Sequence, residues 1–327
     1  MRPADSAPLG IVPLGIAPLL DRMPNLRFRT LGGRHFWADV AISPSHRIQR
    51  NVWTGHCRLL DGNDRRIATG SLERCRAAAQ ALAEDCAPGG TLVVMLHGLY
   101  RSGYCFEPLA RRLRAAGWPV VMPNYPSGNA SLPELGSWLN ELISGLDGYS
   151  RVVFVAYSLG GLVLRAAFAG DDGWRERMPV AGIVQIGPPN RGARAARLLR
   201  TLTADTRIVG PAARALCDPI DLPEPPREIP VLVIAGGTGG RVGFNPFLEG
   251  DDDGLVRVAE TRLTRPHGFR RVKTVHGLLI GHPEVQGLVL SMLENWSTRA
   301  QLAADRSVCG RSFRDGGHST MSRSSTP

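Results

Sequence analysis

In the stretch RVVFVAYSLGGLVLRAAF, Ser158 stands between an apolar run and a segment rich in alanine and leucine. The run before it has the length of a buried strand, and the segment after it has helical composition. A serine on so sharp a strand-to-helix turn is strained and needs small neighbours two residues before and two after. Ala156 and Gly160 meet that need, with Ala156 standing where glycine is commoner. The strain projects the hydroxyl above the sheet edge and turns backbone N–H groups toward a reacting carbonyl. The competing reading is a serine that merely caps the helix.

A lone serine hydroxyl is a weak nucleophile, so a base and a group to orient that base are required. Downstream, NPFLEGDDDGLVRV offers Asp251, Asp252 and Asp253 on a loop. Asp253 is the expected acid, because Gly254 and the apolar Leu255-Val256 follow it and return the chain to the body. Asp251 and Asp252 read as a solvated acidic turn. Further on, FRRVKTV ends in His276, where a general base belongs at the carboxyl edge of a sheet. His282 directly precedes Pro283 and reads instead as a capping or surface residue at the start of a last helix. Ser158, Asp253 and His276 thus follow one another in the order nucleophile, acid, base. The oxyanion of an acyl-transfer intermediate needs two N–H donors. Gly98, after TLVVMLH, permits a bend that presents the amide of Leu99, and Leu159 immediately after the nucleophile supplies the second. His97 reads as a structural residue under that bend. This chemistry calls for no metal and no organic cofactor.

The elements that must position these groups are legible as a rhythm. From Thr91 six short apolar runs (TLVVML, PVVMPNY, RVVFVAY, VAGIVQIG, PVLVIAGG and FRRVKTVHG) alternate with helical patterns. Unbroken apolar runs are strands buried on both faces, and helices between them imply a mostly parallel sheet with helices on both faces. FEPLARRLRAAG, LPELGSWLNELISG and PEVQGLVLSMLENW carry the three- and four-residue spacing of amphipathic helices. The expected catalytic domain spans residues 91–298, with residues 190–229 as a candidate partial cap. Residues 26–90 read as a strand-turn-helix extension, with a turn at Asp61-Gly62-Asn63-Asp64 and a helix capped by Ser71, extending the first edge of the sheet. Phe36, Trp37 and Trp53 are read as core. Residues 1–25 read as a flexible N-terminus and 299–327 as a disordered tail.

A formal charge of +10 raises the question of nucleic acid. However, 38 of the 39 basic residues are arginines spread along the whole chain, Lys273 being the sole lysine, and no recognition motif accompanies them. Nucleic-acid binding is therefore not expected. The six cysteines form no CxxC pair or zinc spacing and read as reduced thiols. The apolar Leu9–Leu20 is too short for a bilayer and is broken by Pro13 and Pro18, so neither stable membrane insertion nor a signal peptide is expected, and the default location is the cytoplasm.

HGLYRSGYCF, MPNYPS, AYSLGG, QIGPPNRG, DDDGLV and HGLLIGHPEV together resemble the α/β-hydrolase superfamily, specifically its small bacterial lipase/esterase-like branch, over about Thr91 to Trp296. The elbow and the oxyanion bend are general to that superfamily, whereas NYPS, GPPNRG and the HGLLIGHPEV ending are particular to the branch. The resemblance implies the triad Ser158, Asp253 and His276, and hydrolysis of carboxylic esters, with a small acyl ester or lipid as substrate. Two other readings stay open: acyl transfer to an alcohol by the same triad, and a binding module on a hydrolase fold that has lost its chemistry. Leu198, Leu199, Leu202, Ile208, Val209 and Leu216 would line an acyl groove or pack on the sheet. Arg191, Arg194, Arg197 and Arg200 read as a solvated helix face. Nothing in the sequence marks an oligomeric state.

Overall fold

The computed structural model describes residues 36–82, 90–170, 173–202 and 210–296, with side chains as far as Leu198 in the third of these segments. Four short strands come first: β1 (Trp37–Ile42), β2 (His46–Asn51), β3 (Cys57–Asp61) and β4 (Arg66–Gly70), each antiparallel to the next. The acidic turn between β3 and β4 is built by Asp61, whose side chain accepts the N–H groups of Asn63 and Arg65. A helix follows, α1 (Leu72–Gln80), capped by Ser71. It seals a small core with Ile48, Cys57, Leu59, Cys75 and Ala79.

The expected extension of the main sheet's edge is not what forms. These strands make a sheet of their own. β1 spends its ladder on β2 and carries a bulge between Asp39 and Ala41. It touches the larger sheet near the end of that sheet's edge strand, where the N–H of Asp39 donates to the carbonyl of Asn124 at 2.9 Å. Beside that contact the two sheets diverge around a cleft of about 560 Å³, lined by His46, Arg47, Glu107, Arg114 and Val121 among others. Of the aromatic residues read as core, only Trp37 is buried; Phe36 and Trp53 are exposed and lean on each other, ring centres 4.2 Å apart.

The larger sheet contains β5 (Thr91–Leu96), β6 (Val120–Val121), β7 (Arg151–Tyr157), β8 (Val180–Ile186), β9 (Val231–Gly237) and β10 (Gly268–Lys273), all parallel, in the order β10-β9-β8-β7-β5-β6. The period of two divides each strand between two cores. Leu92, Val94 and Leu96 face one side of the sheet with Phe154 and Ala156, while Val93 and Met95 face the other with Val153, Val155 and Tyr157. The helices α2 (Glu107–Ala115), α3 (Leu132–Ser144) and α4 (Leu159–Phe168) join these strands, α5 (Arg194–Leu202) follows β8, and α6 (283–296) follows β10. On the first face lie α3 and α4, through Leu135, Trp138, Leu139 and Leu162. On the second lie α2 and α6, through Leu109, Leu113, Val285, Val289 and Leu293. The chain leaves β5 for the edge at β6, returns to β7 on the other side of β5, then proceeds outward to β10. Between β5 and β7 the strand order therefore reverses, and at such a point the loops from two carboxyl ends part and leave a crevice.

A buried carboxylate adds to the ties between the small sheet and this crevice. Asp39 is fully buried; its Oδ1 accepts from Gln49 Nε2 at 2.7 Å and its Oδ2 from the Asn124 N–H at 2.8 Å. Burial pushes its carboxyl above the ordinary value, against the pull of Arg47 and of these hydrogen bonds. Both oxygens face donors, so an asparagine there must aim its NH2 group at one of them. Asp39→Asn is expected to lower stability by about 1–3 kcal/mol, the usual consequence of a buried donor left without an acceptor. Urea unfolding checks this, and an unchanged midpoint would contradict it.

Residues 1–25 and the tail 299–327 lie outside the described residues, as do 203–209 of the candidate cap. Within the cap, Leu216 is buried, Leu198 is exposed, and Arg194 pairs with Glu249 at 3.0 Å; the side chains of Leu199, Arg200, Leu202, Ile208 and Val209 lie outside the description. Cys57, Cys75, Cys105 and Cys217 take part in no disulfide. Among the described residues no helix is long and apolar enough to cross a membrane, and no cluster of three or more His, Cys, Asp or Glu could hold a metal ion.

Candidate active site

At the end of β7 the chain reverses at Ser158, whose backbone stands at φ 53 and ψ −121. A non-glycine residue in this region carries about 1–3 kcal/mol of strain, held by its surroundings. Here the Ser158 N–H donates to the carbonyl of Ile186 at 2.8 Å, and the Ser158 carbonyl accepts from Gly161 at 3.0 Å. Two glycines let the elbow close. A Cβ on Gly160 would lie 2.3 Å from the Leu96 carbonyl oxygen, and one on Gly98 would lie 3.1 Å from the Ser158 Cβ. The helix can therefore start directly against β5, and the turn after β5 can lie against the serine.

The three residues expected to act together meet in space. Ser158 Oγ lies 3.0 Å from His276 Nε2, and His276 Nδ1 lies 2.7 Å from Asp253 Oδ2. Asp253 and His276 are both buried, whereas Ser158 is partly exposed at the crevice. The other Asp253 oxygen, Oδ1, accepts the N–H groups of Leu255 at 3.1 Å and Val256 at 2.8 Å. With the carboxylate accepting at Nδ1, the imidazole keeps its proton there and offers a bare Nε2 to the serine hydroxyl. The His276 backbone is fixed as well: its N–H donates to the Asp253 carbonyl at 2.8 Å and its carbonyl accepts from the Tyr157 hydroxyl at 3.0 Å. Burial pushes the Tyr157 hydroxyl far above its ordinary value, so it stays a donor.

Gly98 to Arg101 form a tight turn closed by the Arg101 N–H on the Gly98 carbonyl at 3.2 Å, with Tyr100 at φ 53. Among the described residues the N–H groups of Leu99 and Leu159 meet no acceptor, which leaves both able to receive an oxyanion. The segment Asn124 to Ser127 grips this turn. Ser127 Oγ accepts from the Tyr100 N–H at 3.0 Å, Asn124 Oδ1 accepts from the Gly103 N–H at 2.9 Å, and the Tyr125 hydroxyl donates to the His97 carbonyl. His97 itself is buried and stacked on Tyr125.

Asp251 and Asp252 are not a solvated turn. Asp252 is fully buried and its Oδ1 accepts the N–H groups of Asn245 and Gly254; Asp251 accepts from Thr238 and Gly239 and pairs with Arg271 at 3.2 Å. Successive N–H groups of the loop needed acceptors, and these two carboxylates supply them. His282 sits at the start of α6, where its carbonyl accepts from the Gln286 N–H at 3.0 Å, and among the described residues no hydrogen bond joins it to Ser158, Asp253 or His276.

A model described as the alpha/beta hydrolase family matches residues 93–326. The chain belongs to the α/β-hydrolase family. One solved structure agrees on the fold: the mature lipase BlEst2 of Bacillus licheniformis superposes with a TM-score of 0.50 at 20% identity, over 64% of this chain and 93% of that one. The lin2722 gene product of Listeria innocua is 18% identical with a TM-score of 0.45, over 64% and 94% of the two chains. No curated protein matches the sequence.

In this member of the α/β-hydrolase family, several residues that shape the crevice sit in stretches whose sequence gives them no individual role. Asn124 and Ser127 belong to the NYPS stretch, and their part is to hold the turn after β5. Asn190, in GPPNRG, ties β8 to the end of the acid loop: its Nδ2 donates to Gln185 Oε1 at 2.7 Å and to the Thr261 carbonyl at 2.8 Å. Its carbonyl accepts from the buried Arg165 of α4 at 2.7 Å. Asp39 acts on Asn124 across 85 residues of sequence, a span that no pattern in the chain announces.

Proposed function

We propose that this chain is a serine hydrolase that cleaves carboxylic esters through an acyl-enzyme on Ser158. The observation that carries the reading is the continuous Asp253–His276–Ser158 hydrogen-bond relay ending on a strained serine, with two unpaired N–H groups beside it. His276 Nε2 takes the hydroxyl proton as Ser158 Oγ attacks the ester carbonyl. The resulting oxyanion accepts from the N–H groups of Leu99 and Leu159. Asp253 holds the tautomer and stabilises the imidazolium without taking the proton itself. When the tetrahedral intermediate collapses, the C–O bond to the alcohol breaks and His276 returns the proton to the leaving oxygen. Water then enters and gives a proton to His276; its oxygen attacks the acyl-enzyme, and collapse yields the carboxylic acid and restores the serine hydroxyl. A site of this kind is one that small esters and acyl lipids would reach through the crevice.

A fluorophosphonate probe tests the assignment directly. The folded chain is expected to form a covalent adduct located at Ser158 by peptide mass spectrometry, and Ser158→Ala is expected to form none. A folded chain that stays unlabelled while a control serine hydrolase reacts would end the proposal.

A further inference from the structure

Arg101 closes the turn that presents the Leu99 amide, and its exposed side chain lies toward Tyr157 and Gly277. Its guanidinium lies 5.9 Å from the centre of the Tyr157 ring, and that ring lies 5.1 Å from the centre of the His276 ring. A guanidinium nitrogen is also the one atom that a Cβ added to Gly277 would meet, at 3.6 Å. The charge thus stands beside the residue that follows the base, over an exposed glycine that leaves the space in front of it open. Among the described residues no carboxylate pairs with Arg101, whereas arginines elsewhere do meet one, Arg47 with Asp64, Arg177 with Asp147 and Arg271 with Asp251 among them.

A cation in this place works against a neutral substrate. During acylation His276 becomes an imidazolium, and a second positive charge nearby opposes that step. An anion seated on the guanidinium cancels that opposition and leaves the imidazolium facing a neutral pair. The position also selects which half of the ester carries the anion. His276 returns its proton to the departing alcohol oxygen, so the alcohol half leaves on the His276 and Gly277 side, where the guanidinium stands. The planar fork of arginine matches the paired oxygens of a carboxylate or phosphate.

We infer that Arg101 is a specificity-determining residue that selects esters whose alcohol half bears a carboxylate or phosphate. The inference rests on the reading of Ser158 as the nucleophile of an ester hydrolase.

Matched ester pairs test it. The butyrate ester of glycerol is compared with that of glycerol phosphate, and phenyl butyrate with butyryloxybenzoate, on wild type, Arg101→Gln and Arg101→Lys. The wild type is expected to favour the anionic member of at least one pair by about tenfold in kcat/KM, the worth of one charge-assisted contact. The pair with the larger ratio assigns phosphate or carboxylate. In Arg101→Gln the ratio is expected to fall toward one, and Arg101→Lys is expected to keep part of it. Added salt is expected to shrink the wild-type ratio, because an exposed charge is screened over about 8 Å at physiological ionic strength. Ratios near one in both pairs, or a preference that survives in Arg101→Gln, would overturn the inference. Calorimetric binding to Ser158→Ala separates this outcome from failure of the hydrolase reading. There the anionic esters are expected to bind tighter than their neutral partners, and less so when Arg101→Gln is added. Equal binding of both members of each pair overturns the anion site even where hydrolysis is observed. Selective binding without turnover of any ester by the wild type upholds the anion site and removes the hydrolase reading instead.

Discussion

Ser158→Ala is expected to lower kcat on any ester this chain turns over by about 10⁶-fold, and His276→Ala by a similar factor. The two losses should not multiply. The serine hydroxyl and the imidazole act as one unit across their 3.0 Å contact, so either alone has nothing to activate or nothing to activate it. The double variant should therefore sit near either single variant. It should still run about 10³–10⁴-fold above the uncatalysed rate, because the Leu99 and Leu159 amides remain in place. Steady-state kinetics on an activated ester, with circular dichroism to confirm folding, decides the matter. A double variant slower than the singles by the full product of their effects would mean that the two residues serve separate steps.

The second large effect comes from a single atom. Asp253→Asn keeps the shape of the side chain and changes one oxygen to NH2. Which oxygen changes is settled by the loop: Oδ1 already accepts from Leu255 and Val256, so the asparagine carbonyl must stay there. The NH2 group is then forced onto His276 Nδ1, 2.7 Å away in the native site. Nδ1 becomes an acceptor, the ring proton moves to Nε2, and the base points a hydrogen at a hydroxyl it should deprotonate. A fall in kcat of about 10⁴-fold is expected, with the site's geometry intact. Substrate affinity should change far less, because Asp253 is buried away from the crevice. The split between kcat and KM measures this, and a variant with near-native kcat would show that the carboxylate does not set the tautomer.

The parallel sheet was legible because its signal is local and redundant. Strands buried on both faces must be apolar throughout, as TLVVML and RVVFVAY are, and the intervening helices repeat every three or four residues. The three residues of the relay were legible for a related reason: each follows directly on a strand or on the loop after one, so the strand pattern already places them at the same edge. The acid loop was harder to read. Three aspartates in a row are indistinguishable by type, and only the geometry shows that Asp251 and Asp252 answer backbone N–H groups while Asp253 divides its oxygens between backbone and base. The first four strands were misjudged because half-buried antiparallel strands have the same alternation whether they join a large sheet or pair among themselves. What distinguishes these is the bulge in β1 and the contact of Asp39 with Asn124, and the second joins residues 85 apart in the sequence.

The borders of the parallel sheet carry a consequence of their own. An open sheet presents unpaired backbone groups at its flanks and invites strands from other molecules to dock there. On one flank, β6 offers only two residues, and the contact between Asp39 and Asn124 occupies the chain just beyond them. On the other flank, β10 carries Arg270, Arg271 and Lys273 with their side chains exposed. A short border gives an incoming strand too little to pair with, and a positively charged one repels its own copies. The apolar sheet that holds the relay together is thereby kept from polymerising through its edges.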